Sequence, residues 1–222
     1  MNILEAVAKR HSVRSYTDKK IEGEVMSALL QEIENCNKEG ELNLQLITNE
    51  KDAFSGKLAQ KGGFKGVDNY IAVVGKKSKD LEEKCGYFGE KVVLKAQMLG
   101  LNTCWVAGTY NKRKVKCNIN KDEKLVCVIA IGYGETQGTP HSNTLIDFLF
   151  RLRGDMPSWF MEGMQCAMLA PTAMNKQKFR FTMLENNKIK AEATSKFCGG
   201  INLGIAKLHF EIGAGDAEYE FV

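Results

Sequence analysis

The sequence predicts an α+β fold in which helices and strands follow the same order twice. Two observations carry this prediction. Amphipathic helical segments alternate with short strand patterns punctuated by glycine, and the same order of elements returns in shortened form after residue 145. The chain has 222 residues, of which 44% are hydrophobic, so it can bury a core of ordinary size. We therefore expect an internally duplicated chain with unequal halves, residues 1–144 and residues 145–222.

The first half opens with two predicted helices. Residues 2–9 place Ile3, Ala6 and Val7 on one face, and residues 23–35 repeat this helical spacing of apolar side chains. Both helices are expected to pack one apolar face on the core.

Three strands and a long helix complete the first half. Residues 42–48 alternate apolar and polar side chains, whereas residues 70–74 and 126–131 are continuous apolar runs, which is typical of strands covered on both faces. Residues 87–99 have apolar side chains at helical spacing and stop at Gly100, which predicts a core helix with a glycine at its C-terminal end.

The second half is predicted to repeat this order in shorter form. Its predicted elements are a helix, a pair of strands joined at Asn186 and Asn187, and an apolar helix that stops at Gly213: residues 161–169, 178–184, 188–193 and 201–212. Superimposing Met26 on Met161 aligns the periodic apolar positions but not the residue identities. A chance likeness of two helix and strand segments is the alternative to a true duplication.

The charge pattern argues against a nucleic-acid partner. The formal net charge is +4, from 31 basic and 27 acidic residues, and runs such as residues 112–116 are best interpreted as solvated surface. No basic stripe with interleaved aromatic side chains is present, so nucleic-acid binding is not expected.

Cysteine usage and hydropathy predict a cytoplasmic protein without membrane insertion. Seven cysteines occur without a C-x-x-C pair, which favours free thiols in a reducing compartment over disulfides or a metal site. Lys9, Arg10 and Arg14 interrupt the position where a signal peptide needs its apolar segment. The apolar runs are far shorter than the about 20 residues that span a bilayer.

The first candidate site is the segment RHSVRSY, which begins at Arg10. Alternate residues of an extended stretch share a face, so Arg10, Ser12 and Arg14 could converge on one phosphate while Val13 packs inward. Guanidinium and hydroxyl groups suit a phosphate dianion, and His11 is a further candidate contact. An ordinary basic loop is the alternative interpretation.

The second candidate site is the segment APTAMNKQKFRF, which begins at Ala170. Pro171 fixes a turn, Thr172 offers a hydroxyl, and the amides of Asn175 and Gln177 can both donate and accept hydrogen bonds. Such amides suit a ligand whose edge carries both hydrogen-bond donors and acceptors. A polar loop between a core helix and a strand is the alternative interpretation.

Together the two segments resemble the nitroreductase family of FMN-dependent oxidoreductases. The resemblance implies FMN as the cofactor, mainly antiparallel sheets flanked by helices, and contacts of Pro171 and Thr172 with the isoalloxazine and ribityl groups. It also implies that Asn175 contacts the ring edge. Lys178 and Phe179 stand where the family usually has Pro-Trp after its glutamine, and residues 132–141 lack the basic residue that usually follows the last core strand.

A third segment supports the same resemblance. GLNTCWVAG, which begins at Gly100, resembles the family segment whose backbone N–H groups face the flavin N5 and O4 atoms, and Ala107 and Gly108 are the matching residues. Small side chains there allow a flat ring to approach the backbone. Cys104 lies in this segment, and we interpret it as a small buried hydrophobic residue. No side chain is assigned a catalytic role.

The distribution of the three segments implies a monomeric pseudo-dimer. In paired family members, one subunit supplies the first and third segments and its partner supplies the second, whereas this chain carries all three. The converse site would place Asp155 where Arg14 stands, and Cys36, Asn37 and Gly40 opposite Pro171, Thr172 and Asn175. A carboxylate repels a phosphate dianion, so we expect one FMN per chain.

The function implied is two-electron transfer from NAD(P)H through FMN to a small organic acceptor, namely a nitroaromatic, a quinone or a flavin. The cofactor carries this chemistry, and the protein supplies orientation and electrostatics. The alternative is an FMN-binding carrier or redox-responsive module without turnover. NADH and NADPH both remain open as donors.

Overall fold

Six helices and eight strands make up the protein. The computed structural model describes all residues from Met1 to Val222. The helices are α1 (Ile3–Lys9), α2 (Gly23–Gly40), α3 (Lys57–Lys61), α4 (Leu81–Met98), α5 (Ser158–Met168) and α6 (Gly199–Ala214). The strands are β1 (Gln45–Ile47), β2 (Tyr70–Lys76), β3 (Asn102–Val106), β4 (Glu123–Gly132), β5 (Phe150–Leu152), β6 (Phe179–Met183), β7 (Lys188–Ala193) and β8 (Glu220–Phe221).

The strands form two four-stranded sheets, one from each half of the chain. The first has the order β1-β2-β4-β3 and is antiparallel throughout. The second has the order β5-β6-β7-β8, with an antiparallel central pair and two parallel outer pairs. The α+β class and the mainly antiparallel pairing are confirmed.

Strand β2 is covered on both faces, as its continuous apolar run predicts. Ile71 and Val73 belong to the main core of 31 buried residues, which includes side chains from α4, α5 and α6. Tyr70, Ala72 and Val74 alternate with them and belong to a second cluster of 16 buried residues on the other face of the sheet. Period-two alternation therefore joins two cores through one strand.

Two helices are longer than their patterns predict. Helix α2 continues to Gly40 because Cys36 and Gly40 extend the buried face begun by Leu29 and Ile33. Helix α4 begins at Leu81, where charged neighbours hide a helical start in the sequence. Gly100 follows its end with a φ of 79°, as expected for a glycine just past a helix terminus.

The predicted stop at Gly213 is wrong, because α6 continues to Ala214 and ends at Gly215, whose φ is 61°. Gly213 serves packing instead. A Cβ atom there would lie 2.5 Å from the Glu162 carbonyl oxygen on α5. Close helix contact and helix termination both select glycine, and the sequence alone did not separate the two causes.

The predicted turn between the second pair of strands agrees with the structure, whereas several short elements were not predicted. Asn186 and Asn187 both adopt positive φ, 57° and 54°, as the two central residues of a type I′ hairpin turn must. Strand β3 forms the edge of the first sheet beside β4, and neither it nor α3, β5 and β8 has a counterpart among the predicted elements. No helix combines the length and the apolar composition needed to cross a bilayer.

Helices α4 and α6 cross at very short range. A Cβ atom on Gly204 would lie 2.0 Å from the Glu83 carbonyl oxygen, and one on Gly86 would lie 2.2 Å from the Ile201 carbonyl oxygen. The two backbones therefore touch without intervening side chains. This contact joins the first half of the chain to the second.

We expect Gly204→Ala to lower the free energy of unfolding by about 2 to 3 kcal/mol, because the added methyl group forces two backbones apart. This overpacking outweighs the better helix propensity of alanine. Urea denaturation measures the change. Glu34→Ala, at an exposed position of α2, is the matched control and is expected to change stability by less than about 0.5 kcal/mol. A Gly204→Ala protein as stable as the parent would contradict this close contact.

Candidate functional site

A cavity of about 580 Å³ lies between the two halves of the chain. This volume is within the range of ligand sites, about 300 to 1,000 Å³. The first half lines it with the segment after α1, the end of β3 and residues 139–141. The second half lines it with the loop after α5, with Cys198 just before α6, and with Ile201, Asn202 and Ile205, which share one face of α6.

Three of the four candidates in the basic segment line this cavity: His11, Ser12 and Arg14. Val13 points the other way into the second core cluster, as the extended alternation predicts. The Arg14 guanidinium lies 6.0 Å from the centre of the Phe64 ring, which also lines the cavity. The wall therefore carries a free guanidinium, a hydroxyl and an imidazole within four residues.

Arg10 does not line the cavity. Its side chain is only 3% exposed, and its Nε atom lies 3.7 Å from the Glu90 carboxylate without a hydrogen-bond partner. Burial is the largest cause that lowers the pKa of Arg10, and Glu90 opposes it. Arg10 is the C-terminal cap residue of α1. The extended alternation that directs Ser12 and Arg14 towards the cavity begins only after it.

In the loop after α5, Pro171, Thr172 and Asn175 line the cavity, whereas Gln177 does not. The Gln177 amide is buried, accepts a hydrogen bond from the Thr144 N–H at 2.6 Å and donates one to the Met168 carbonyl at 2.7 Å. Gln177 therefore braces the loop from behind.

The same loop holds an uncommon backbone conformation. Met174, Asn175 and Gln177 all have positive φ, between 46° and 53°, and such residues need fixed partners to stay there. The Thr172 hydroxyl accepts from the Gln177 N–H at 3.0 Å, and Asn202 Oδ1 accepts from the Ala173 N–H at 3.0 Å. Asn202, on α6, thus holds this loop in place at the cavity wall.

Asn175 presents an unsatisfied acceptor. Its Nδ2 donates to the Ser142 carbonyl at 2.6 Å, whereas its Oδ1 is buried and has no hydrogen-bond partner. A buried acceptor without a partner costs about 1 to 3 kcal/mol.

The end of β3 supplies the opposite part of the wall. Trp105, Ala107 and Gly108 line the cavity, and a Cβ atom on Gly108 would meet no atom within 4 Å. Cys104 is 3% exposed, and burial raises the pKa of its thiol. A thiol so protonated is a poor nucleophile, which agrees with its interpretation as a small hydrophobic residue.

Electrostatics near the basic segment favour an anion. Partial burial, Arg10 and His141 together lower the pKa of His11. These causes show that positive charge already surrounds the imidazole. The nearby Lys65 pairs with Glu135 at 3.2 Å and does not line the cavity.

Several cavity residues were missed as site residues in the sequence. His141, Phe64, Phe197 and Asn202 all contribute to the wall. Asn202 had a usable signal, since it is a lone amide in the apolar helix that follows Gly199. The others lie in loops whose approach to the cavity depends on long-range packing.

The first-half residues that the sequence aligns with Pro171, Thr172 and Asn175 are engaged in internal contacts. The Asn37 side chain forms two hydrogen bonds with the Leu44 backbone, and Cys36 is fully buried. A Cβ atom on Gly40 would lie 2.5 Å from the Phe88 ring. Asp155 is exposed and has no ion pair.

The chain is similar to known proteins along most of its length. The protein-family model described as "Putative TM nitroreductase" matches residues 2–214. A solved nitroreductase structure from Thermotoga maritima MSB8 is 21% identical, with a TM-score of 0.65, and the match covers 96% of this chain and 83% of that chain. Curated proteins give no significant match.

Two further solved structures are similar in fold. A nitroreductase from Desulfovibrio desulfuricans in complex with FMN is 16% identical with a TM-score of 0.54, and the match covers 71% of this chain and 99% of that one. A nitroreductase family protein from Streptococcus pneumoniae TIGR4 is 16% identical with a TM-score of 0.52, over 66% of this chain and 98% of that one. These likenesses confirm the nitroreductase-like fold.

We expect the imidazole of His11 to titrate below its ordinary pKa of about 6.5, because burial and neighbouring positive groups disfavour the imidazolium. The folded state then binds this proton less readily than the unfolded state, so His11 is neutral at pH 7. A pH titration followed by NMR of the histidine side chains measures the value. His141→Gln removes one of the causes and should raise it. Titration of His11 at or above pH 6.5 would contradict the expected environment.

Proposed function

Because the chain belongs to the nitroreductase family described by that model, we propose that its cavity binds FMN and that it transfers two electrons from NAD(P)H to a small organic acceptor. One observation carries the proposal. A single cavity brings Ser12 and Arg14, a set of groups suited to a phosphate, together with Gly108 and the Pro171–Asn175 loop, between which a planar ring has room to approach the backbone.

The phosphate of FMN is assigned to the basic segment. Arg14 has no ion pair in the structure, and Ser12 and His11 lie beside it on the cavity wall. A guanidinium forms charge-assisted hydrogen bonds to phosphate oxygens that are about twice as strong as neutral ones. Arg10 and Gln177 are left out of direct contact, since both are engaged behind the wall.

The ring is assigned to the space between Gly108 and the Pro171–Asn175 loop. Asn175, whose Nδ2 donates to the Ser142 carbonyl, borders this space and is the candidate contact to the polar edge of the ring. The open space at Gly108 and the small Ala107 side chain allow close approach of a planar ring to backbone N–H groups. Pro171 and Thr172 border the same space from the second half of the chain.

FMN, when bound, supplies the hydride acceptor and donor of the reaction. The residues of the chain bind the cofactor, orient it and limit the access of water. Met174 and Phe197 border the cavity and are 72% and 59% exposed, so they offer an apolar edge to an incoming organic acceptor. A nitroaromatic, a quinone or a flavin fits this surface.

We further propose that the chain is a fused pseudo-dimer with one FMN and no need of a second subunit. Each half has its own sheet, and both contain helix, strand, strand, helix and strand in that order, as α2, β1, β2, α4, β3 and α5, β6, β7, α6, β8; the first half inserts α3 between β1 and β2. The internal contacts of the aligned first-half residues, with Phe88 against Gly40, support a single site. The free state of all seven cysteines supports a reducing, cytoplasmic location.

We expect one FMN per chain after reconstitution with excess cofactor, because Phe88 and the Asn37 hydrogen bonds engage the aligned first-half residues internally. Absorbance of the flavin band against the protein concentration, after gel filtration, gives the ratio. Gel filtration with light scattering gives the mass of the same sample. A ratio near two would contradict the single site, and absence of bound flavin would contradict the cofactor.

Arg14→Gln should weaken FMN binding by about tenfold or more, since one charge-assisted hydrogen bond to a phosphate contributes about 1.5 to 3 kcal/mol. Riboflavin, which has no phosphate, is the matched ligand, and its affinity should change little. Fluorescence titration measures both dissociation constants. Lys65→Gln, a basic residue outside the cavity, is the control variant. Equal losses for FMN and riboflavin would remove Arg14 from the phosphate site.

Anaerobic mixing of the FMN-loaded protein with NADH and with NADPH tests the reaction itself. We expect at least one donor to bleach the flavin band within the mixing experiment, and the faster donor identifies the preferred nicotinamide. Bleaching by dithionite alone, with neither nicotinamide active, would contradict the oxidoreductase and leave the FMN carrier as the function.

A further inference from the structure

A buried carboxylate outside the cavity organises one of the cavity's walls. Glu90, on α4, has no solvent exposure and does not itself line the cavity. Its Oε2 accepts a hydrogen bond from the Trp105 indole N–H at 2.7 Å. Its Oε1 lies 2.9 Å from His209 Nε2 and 3.7 Å from Arg10 Nε. Four elements of the fold therefore meet at one carboxylate.

The Trp105 indole packs against Gly89 as well as Glu90, and these two residues together form its seat on α4. A Cβ atom on Gly89 would lie 2.5 Å from Cη2 and 3.1 Å from Cζ2 of the indole. These carbons lie on the same side of the ring system as Nε1, so that edge of the indole faces α4. Gly89 and Glu90 thus hold the ring at two points, while Trp105 forms part of the cavity wall.

The protons of the network are fixed by its geometry. His209 Nδ1 lies 3.2 Å from the Cys166 carbonyl oxygen, which can only accept, so Nδ1 carries a proton. A second proton must lie between Nε2 and the Glu90 carboxylate. Arg10 approaches the same carboxylate oxygen and adds one positive charge behind the wall.

We propose that Glu90, with Gly89, is a positioning residue of the cofactor site: it holds the Trp105 indole and thereby the backbone at Ala107 and Gly108. The proposal rests on the proposed function in so far as the cavity binds FMN. Strand β3 carries Trp105 only two residues before Ala107, so rotation of the indole off its seat displaces the segment that approaches the ring. Glu90 acts through Trp105 and touches no cofactor.

The first experiment reads Trp105 in the apo-protein. Trp159→Phe leaves Trp105 as the single tryptophan, and the phenyl ring can keep the stack on Tyr219. In this background, Gly89→Ala and Glu90→Leu should shift the Trp105 emission to the red and lower its anisotropy, because the indole leaves its seat. Glu82→Gln, an exposed carboxylate on the same helix, should leave both unchanged.

Glu90→Gln separates positioning from stability. The glutamine oxygen still accepts from the indole, and its N–H group can donate to a neutral His209 Nε2. Trp105 emission and FMN affinity should therefore stay within about twofold of the parent. The free energy of unfolding should fall, because Arg10 loses its buried counter-charge. A purely structural carboxylate would instead lose FMN affinity in step with stability.

The second experiment measures FMN affinity by fluorescence titration. Trp105→Phe retains an aromatic ring but loses the N–H donor, and we expect about tenfold weaker binding. Tyr87→Phe is the control, since it removes a hydrogen bond to Glu211 at the same helix interface without touching the cavity. It should lower stability and leave FMN affinity unchanged.

The outcomes decide the proposal separately from the proposed function. A folded Glu90→Leu protein with parental Trp105 emission would overturn it. If Glu90→Leu does not fold, Gly89→Ala takes its place in the emission measurement. Parental FMN affinity in the Trp105→Phe protein would also overturn the proposal. If the parent protein binds no FMN, the proposed function fails, while the emission of the apo-protein still decides whether Glu90 positions Trp105.

Discussion

The close crossing of α4 and α6 is the constraint on which the rest of the structure depends. Two backbones meet there at a distance that only glycine permits, at Gly86 and Gly204. Side chains around the crossing then form bonds between the halves, with Lys207 paired to Glu83 and Tyr87 donating to Glu211. Because these groups are partly exposed, packing rather than charge must supply most of the stabilisation. The two halves are thereby held in one relative position.

The cavity is a consequence of that position. Helix α6 presents the face that carries Asn202 to the space in front of β3, and Asn202 fixes the loop that carries Asn175. Helix α4 presents Gly89 and Glu90 to Trp105 from behind. Each wall is therefore braced by one of the two crossing helices. A shift between the helices would move both walls at once, so the same contact that stabilises the fold also sets the width of the site.

The sequence predicted the fold class and most elements. Of its ten candidate site residues, eight line the cavity. It succeeded where the signal is local: alternation placed Val13 inward and Ser12 outward, and the proline-containing loop marked a wall. Arg10 and Gln177 belong to the same motifs but turn away, towards Glu90 and Thr144. Their partners are distant in sequence, so no local pattern could separate a ligand contact from a brace. For the same reason, the role of Gly213 in packing could not be distinguished from a helix stop.

The sequence by itself determined the periodicities, the turn at Asn186 and Asn187, and the residue types able to hold a phosphate and a flavin edge, because these follow from steric and hydrogen-bonding properties of neighbouring residues. Only the tertiary structure decided which polar side chains face the cavity and which instead interact with buried partners behind its wall. Burial favours a partner for each polar group, and the packing around Asn175 Oδ1 and Arg10 Nε decides that these buried atoms stay without one.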